Sequence, residues 1–232
     1  MVSALTFAQD TLRKRKFYIG AFASPDYSYR KLFNSDPGIG NFIKSERDST
    51  EIPKIAYTFG LDFLYKINKW IALSFGVQYS LKGYQTKNQT LVFGPPPRRG
   101  GATILVTPTN DHLTYNYNYI DIPLRVDIYL SKDKVAPFIT TGIATNVFLY
   151  SKNISYLTYA DGHRTSTSSS STDNFSIINP QFQLGAGVDI ALKKSRLRIL
   201  PIARVSVLSM NSDPIKEYLW SAGLGISYLF GI

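Results

Sequence analysis

The chain has 232 residues, 44% of them hydrophobic and 14% aromatic, with a formal net charge of +10 and no cysteine. The length suits one domain, and the lack of cysteine excludes a disulfide framework or a thiolate metal site. No apolar run approaches the ~18 residues of a membrane-spanning helix, and the basic residues are scattered, not striped along one element as a nucleic-acid interface would require. Contact with anionic lipid headgroups is another reading of the positive charge.

Residues 1–8 are short, apolar and end in a small residue, with Thr6 and Ala8 at the two small positions that precede a cleavage site. They are expected to be a signal-peptide remnant lacking its basic leading region, and residues 9–232 a single domain.

Period-two alternation then dominates. Residues 16–29 form a weaker candidate strand. Over 55–66, Ile55, Tyr57, Phe59, Leu61, Phe63 and Tyr65 share one face, and Ala56, Thr58, Gly60, Asp62, Leu64 and Lys66 the other. Over 70–83, Ile71, Leu73, Phe75, Val77, Tyr79 and Leu81 oppose Ala72, Ser74, Gly76, Gln78, Ser80 and Lys82. The segment 120–130 sets Ile122, Leu124, Val126 and Ile128 against Asp121, Pro123, Arg125 and Asp127, and 182–192 sets Phe182, Leu184 and Val188 against Gln183, Gly185 and Asp189. Side chains alternate across a strand, so each segment has one apolar and one small or polar face. Weaker candidates at 137–150, 196–209 and 218–230 complete the set. Their lengths match the ~9–11 residues of a tilted bilayer-crossing strand. The fold expected is all-β: an eight-stranded antiparallel up-and-down transmembrane β-barrel with no amphipathic helix. Pro123 inside a strand is expected to mark a bulge, and Pro180 and Pro201 local irregularities.

The connections alternate in length. Residues 30–51, 84–114, 151–175 and, shorter, 210–216 are mostly long and polar, whereas 68–69, 131–135 and 193–195 are tight. Outer-membrane barrels have short periplasmic turns and longer outside loops. Within 84–114, Leu91, Val92, Phe93, Ile104, Leu105 and Val106 flank a Pro/Gly tip and suggest a hairpin; 165–172 is Ser/Thr-rich and reads as a loop apex.

Polarity is inverted relative to a soluble barrel. The face expected to line the interior carries Asp62, Gln78, Asp121, Arg125, Asp127, Gln183, Asp189 and Arg204. Both signs are present, so a paired network in a filled lumen is expected; buried charges must pair or be very costly. The opposite faces would meet lipid.

Near the end of the chain, Leu224, Ile226, Tyr228 and Phe230 alternate and resemble the C-terminal insertion signal that the barrel-assembly machinery recognises; Gly231 and Ile232 follow the aromatic residue on which such signals usually end. Tyr119-Ile120-Asp121-Ile122-Pro123-Leu124, with Pro137-Phe138 and Leu184-Gly185-Ala186-Gly187-Val188, resembles the PorT-like outer-membrane β-barrel family. That resemblance implies an eight-stranded barrel in the bacterial outer membrane. One named member serves the type IX secretion system; most have no assigned role.

Catalysis finds little support. The histidines are His112 and His163, both in long connections, and only Asp111 beside His112, or Asp161 and His163 near the serines of 166–171, could imitate a hydrolase set. No catalytic residue, cofactor or metal site is expected. The function expected is that of a non-enzymatic, structural or accessory subunit of an envelope or secretion-related complex, acting through its outer loops. Its expected partners are outer-membrane lipid and lipopolysaccharide, the barrel-assembly machinery during insertion and another envelope protein, with no nucleic acid. A soluble ligand-binding β-barrel and a surface lipid hydrolase are the alternatives.

Overall fold

The computed structural model describes residues 16–34, 38–91 and 108–232. In chain order the elements are β1 (Phe17–Asn34), α1 (Ile39–Thr50), β2 (Glu51–Lys66), β3 (Ile71–Thr86), β4 (Gln89–Thr90), β5 (Pro108–Tyr129), β6 (Val135–Tyr159), β7 (Arg164–Ser171), β8 (Ile178–Ala191), β9 (Ser195–Ser206) and β10 (Ile215–Gly231). The expected eight-stranded barrel is overturned: one antiparallel sheet of ten strands forms a ring. Its neighbours run β4-β5-β3-β2-β1-β10-β9-β8-β6-β7, and β5 also pairs with β6 to join the circuit. The seam between β1 and β10 holds register from Tyr18 opposite Gly231 to Asn34 opposite Ile215. Gly20 is required there, because a Cβ would lie 1.8 Å from the Tyr228 carbonyl oxygen.

The two strands missed by periodicity come from the long connections. Gln89 and Thr90 of β4 pair with Asp111 and Asn110 of β5. The Ser/Thr-rich run is strand, not loop apex: β7 pairs with β6 from Ser151 opposite Ser171 to Thr158 opposite Arg164. Thr and Ser have no apolar face to alternate, so period-two reading is blind to them, yet their backbones pair normally. Helix α1 is a second correction. Only its first turn carries apolar residues at helical spacing, Ile39, Phe42 and Ile43, and its stability comes from ion pairs described below.

A third correction concerns proline. The register of β5 against β3 is the same on both sides of Pro123, so the expected bulge is absent; the pairing skips Gly76 and Val77 and resumes unshifted. Pro25 and Pro201 repeat the pattern, each on a strand whose pairing on one side skips two residues and keeps register. Each lacks the N–H that the skipped bond would need. Pro180 pairs with Thr145 in an unbroken register.

Side chains sort by parity. Ile55, Tyr57, Phe59, Leu61, Ile122, Leu124, Val126, Ile128, Phe182 and Leu184 are exposed on the outer wall. The interior is filled in three layers. Tyr18, Leu64, Ala72, Tyr129, Phe138, Leu200 and Leu229 form an apolar cluster at the short-turn end. Tyr84, Tyr117, Tyr119, Phe148, Met210 and Leu219 form another at the end with long connections. Charged and amide side chains lie between them.

Candidate functional site

The middle layer comes from the inward parity of every long strand. Arg125 (β5) donates to Asp62 (β2) at 2.9 Å, and Asp62 also accepts from Gln78 and Ser227, each at 3.0 Å. Of the eight residues expected in the interior, these ion-pair and amide contacts bring together Asp62, Gln78 and Arg125. The others turn to partners outside that set. Asp121 pairs with Lys82 at 3.0 Å, Asp127 with Arg198 at 2.7 Å, Asp189 with Arg196 at 2.9 Å and Arg204 with Asp26 at 2.8 Å. Gln183 is buried, and its Oε1 has no hydrogen-bond partner among the described residues.

Lys82, Asp26, Arg196 and Arg198 were missed, though a signal existed. Lys82 lies on the polar parity of 70–83. Arg196 and Arg198 share parity with Arg204. The secondary contacts are dense: Asp26 accepts from Ser24 and Thr58, each at 2.6 Å, Tyr129 donates to Asp189 at 2.6 Å, and Ser74 donates to Asp127. This layer pairs Asp26, Asp62, Asp121, Asp127 and Asp189 each with a buried cation, as burial of charge requires.

At the end with long connections, α1 lies against the mouth of the ring. Arg47 donates to Glu51 and to Glu217 (β10), each at 2.7 Å, and to the Tyr84 hydroxyl (β3) at 2.7 Å. Arg30 (β1) reaches up to Glu51 and Asp48, both at 2.6 Å. Lys44 joins Asp48 at 2.9 Å. Four strands and the helix are thereby tied through two guanidiniums, whose planar forks suit such bidentate sharing. Burial pushes the Asp48 carboxyl up, but the hydrogen bonds from Arg30 and Lys44 outweigh it and hold the group below its ordinary value. Ile39 and Phe42, 78% and 72% exposed, point away from these contacts into the surroundings.

The model of the outer membrane protein β-barrel domain matches residues 7–207. The chain belongs to that family. It is therefore a protein of the outer membrane, and the soluble ligand-binding alternative is set aside. No curated protein sequence matches it. Among solved structures it is similar to neisserial surface protein A, NspA, at 14% identity over 93% of this chain and 97% of that one, TM-score 0.45. It is also similar to OprG from Pseudomonas aeruginosa, at 13% identity over 95% and 98%, TM-score 0.40, and to the attachment invasion locus protein Ail of Yersinia pestis, at 13% over 93% and 99%, TM-score 0.36.

Helix α1 and β7 both lie within the long connections, 30–51 and 151–175. Leu224, Ile226, Tyr228 and Phe230 all lie exposed on the outer wall of β10. The Nε2 of His112 is 3.4 Å from the Thr114 hydroxyl, and its Nδ1 has no hydrogen-bond partner among the described residues. The Asp161 carboxylate accepts the His163 backbone N–H. No three or more His, Asp and Glu residues among those described could hold a metal ion. Residues 1–8, and Val92, Phe93, Ile104, Leu105 and Val106 of the expected hairpin, lie outside the described residues; Leu91 bonds Thr109 through its backbone N–H at 2.8 Å.

Proposed function

We propose that this protein is a non-enzymatic accessory subunit of an envelope complex, and that it engages another envelope protein through α1 at the outer mouth. The carrying observation is the contrast within that helix. Its C-terminal half is fastened to the ring by Arg47 and Asp48, while Ile39 and Phe42 project outward. A helix held rigidly by one end and apolar at the other suits insertion into a partner's groove, and large exposed apolar side chains beside each other mark such contacts. The lengths of β5 and β6, 22 and 25 residues, add reach. At ~3.3 Å per residue and a ~45° tilt they exceed the ~30 Å hydrocarbon core, so their far ends stand outside the membrane.

The PorT-like stretch from Tyr119 to Leu124 supports a secretion-related setting. The apolar outer wall suits lipid and lipopolysaccharide, and the alternating Leu224, Ile226, Tyr228 and Phe230 suit recognition by the barrel-assembly machinery.

A photo-crosslinking residue at position 42 in intact cells tests the proposal. It is expected to capture one discrete envelope protein, and Ile39→Asp with Lys44 and Arg47 intact is expected to abolish that adduct while the protein stays heat-modifiable on gels. Lipid-only adducts at position 42, or an unchanged protein adduct in the Ile39→Asp variant, would refute it.

A further inference from the structure

The short connections carry an unbalanced charge. Lys69 lies in the turn from β2 to β3, Lys132 and Lys134 in the turn from β5 to β6, Lys193 and Lys194 in the turn from β8 to β9, and Lys16 directly precedes β1. All of these lysines are exposed. Asp133 is the one acidic side chain in these turns, and the Ser131 hydroxyl donates to it. Among the described residues no ion pair or side-chain hydrogen bond engages any of the ammoniums. Lys132 instead holds its Nζ 4.3 Å from the centroid of the Trp70 ring. At the opposite end Arg30, Arg47 and Lys44 all have carboxylate partners.

Placement selects the occupant. Going round the ring, β3 with β2, β1 with β10, β9 with β8 and β6 with β5 meet in turn at Lys69, at Lys16, at Lys193 and Lys194, and at Lys132 and Lys134. The cations therefore encircle this mouth. Exposed apolar side chains of the wall border them: Ile67 and Trp70 beside Lys69, Leu130 and Val135 beside Lys132 and Lys134. Free ammoniums at the margin of an apolar, aromatic wall stand at the headgroup level of a bilayer. An acidic protein would cover one sector of the rim, whereas annular lipid touches every sector. Unpaired ammoniums favour a headgroup of net negative charge over a zwitterionic one. We propose that the short-turn rim is a ring of headgroup sites for anionic phospholipid of the phosphatidylglycerol class. The proposal rests on the contact of the wall with lipid and is independent of α1.

Trp70 reports on one of these stations. In a full-length Trp220→Phe chain it is the sole tryptophan. Folded into phosphatidylcholine vesicles, its quenching by brominated phosphatidylglycerol is compared with that by brominated phosphatidylcholine. The relative binding constant is expected to favour phosphatidylglycerol about fivefold, the factor for one lysine near an anionic surface. It is expected to fall close to unity in Lys69→Gln/Lys132→Gln, and in about 1 M salt, which screens the charge. Lys193→Gln/Lys194→Gln, at a separate station, is expected to leave it unchanged. Leu192→Trp in a Trp70→Phe/Trp220→Phe chain moves the reporter beside those two lysines and is expected to show the same preference. A preference at Trp70 alone would be the footprint of a partner covering one sector, and overturns the ring. So does a preference that survives Lys69→Gln/Lys132→Gln in a heat-modifiable chain. Equal quenching by the two lipids overturns the headgroup sites while upholding the contact of the wall with lipid; no quenching by either overturns both.

Discussion

Arg204 of β9 and Asp26 of β1 meet at 2.8 Å across the interior, although 178 residues separate them and β10 lies between their strands. The contact reaches past the one strand between them. Arg125 with Asp62 and Arg198 with Asp127 likewise join strands that are not neighbours, whereas Lys82 with Asp121 and Arg196 with Asp189 join strands that are.

Breaking such a match has a predictable cost. Arg125→Ala leaves Asp62 buried with only Gln78 and Ser227 as donors, and is expected to destabilise the protein by about 3–5 kcal/mol. The double variant Arg125→Met/Asp62→Asn is expected to recover most of that loss. Urea unfolding in liposomes measures both. A single variant within 1 kcal/mol of wild type would mean the pair is far better solvated than its burial implies.

The filled interior also forbids a wide pore. Purified protein in planar bilayers is expected to show no steady porin-size conductance, because buried side chains such as Arg125, Arg204, Gln181 and Phe138 occupy the interior. Long-lived steps of porin size would contradict the layered packing.

On the outer wall the expectation reverses. Val126 is exposed among Leu124 and Ile128, and Val126→Arg is expected to cost about 2–4 kcal/mol if it sits near the bilayer midplane. Thr167→Arg on β7, exposed beyond the wall, is expected to be neutral. Equal folding yields of the two into liposomes would show that the apolar wall does not face lipid.

Helix α1 carries a pH dependence. The Asp48 carboxyl is held below its ordinary value by Arg30 and Lys44, so its contribution to docking is fully present above the unfolded carboxylate range and is lost as pH falls through the depressed folded value. The chain has no cysteine, so Glu46→Cys gives a unique label on the helix. Label mobility is expected to rise on acidification, and Asp48→Asn is expected to be mobile already and less responsive. An identical pH profile in both proteins would remove Asp48 from the fastening.

The strands that were legible in the sequence are those with an apolar face, such as 55–66 and 120–130, because lipid enforces strict parity. The eight polar residues assigned to the inner face are buried, but parity did not name their partners. Parity gives the face on which Arg204 lies; it does not give which carboxylate it reaches, since that depends on tilt and stagger between strands. Strand β7 was illegible because Ser and Thr are tolerated on either face, and α1 because its helix is secured by tertiary ion pairs, Arg30 to Asp48 and Arg47 to Glu217, which local propensity cannot register. At Pro123 the ring tolerates a missing donor by skipping a pair, where a bulge is the commoner remedy.

The β1–β10 seam sets the timing of assembly. Tyr18 finds its place opposite Gly231, the most distant kind of contact a chain can make, and such contacts form late and slowly. Until β10 arrives, β1 offers a row of unsatisfied backbone groups, and Arg204 cannot be positioned against Asp26. Every intermediate before that moment is an open sheet with adhesive margins, so an escort shielding β1 and β10 until they meet would govern yield more than any gain in final stability.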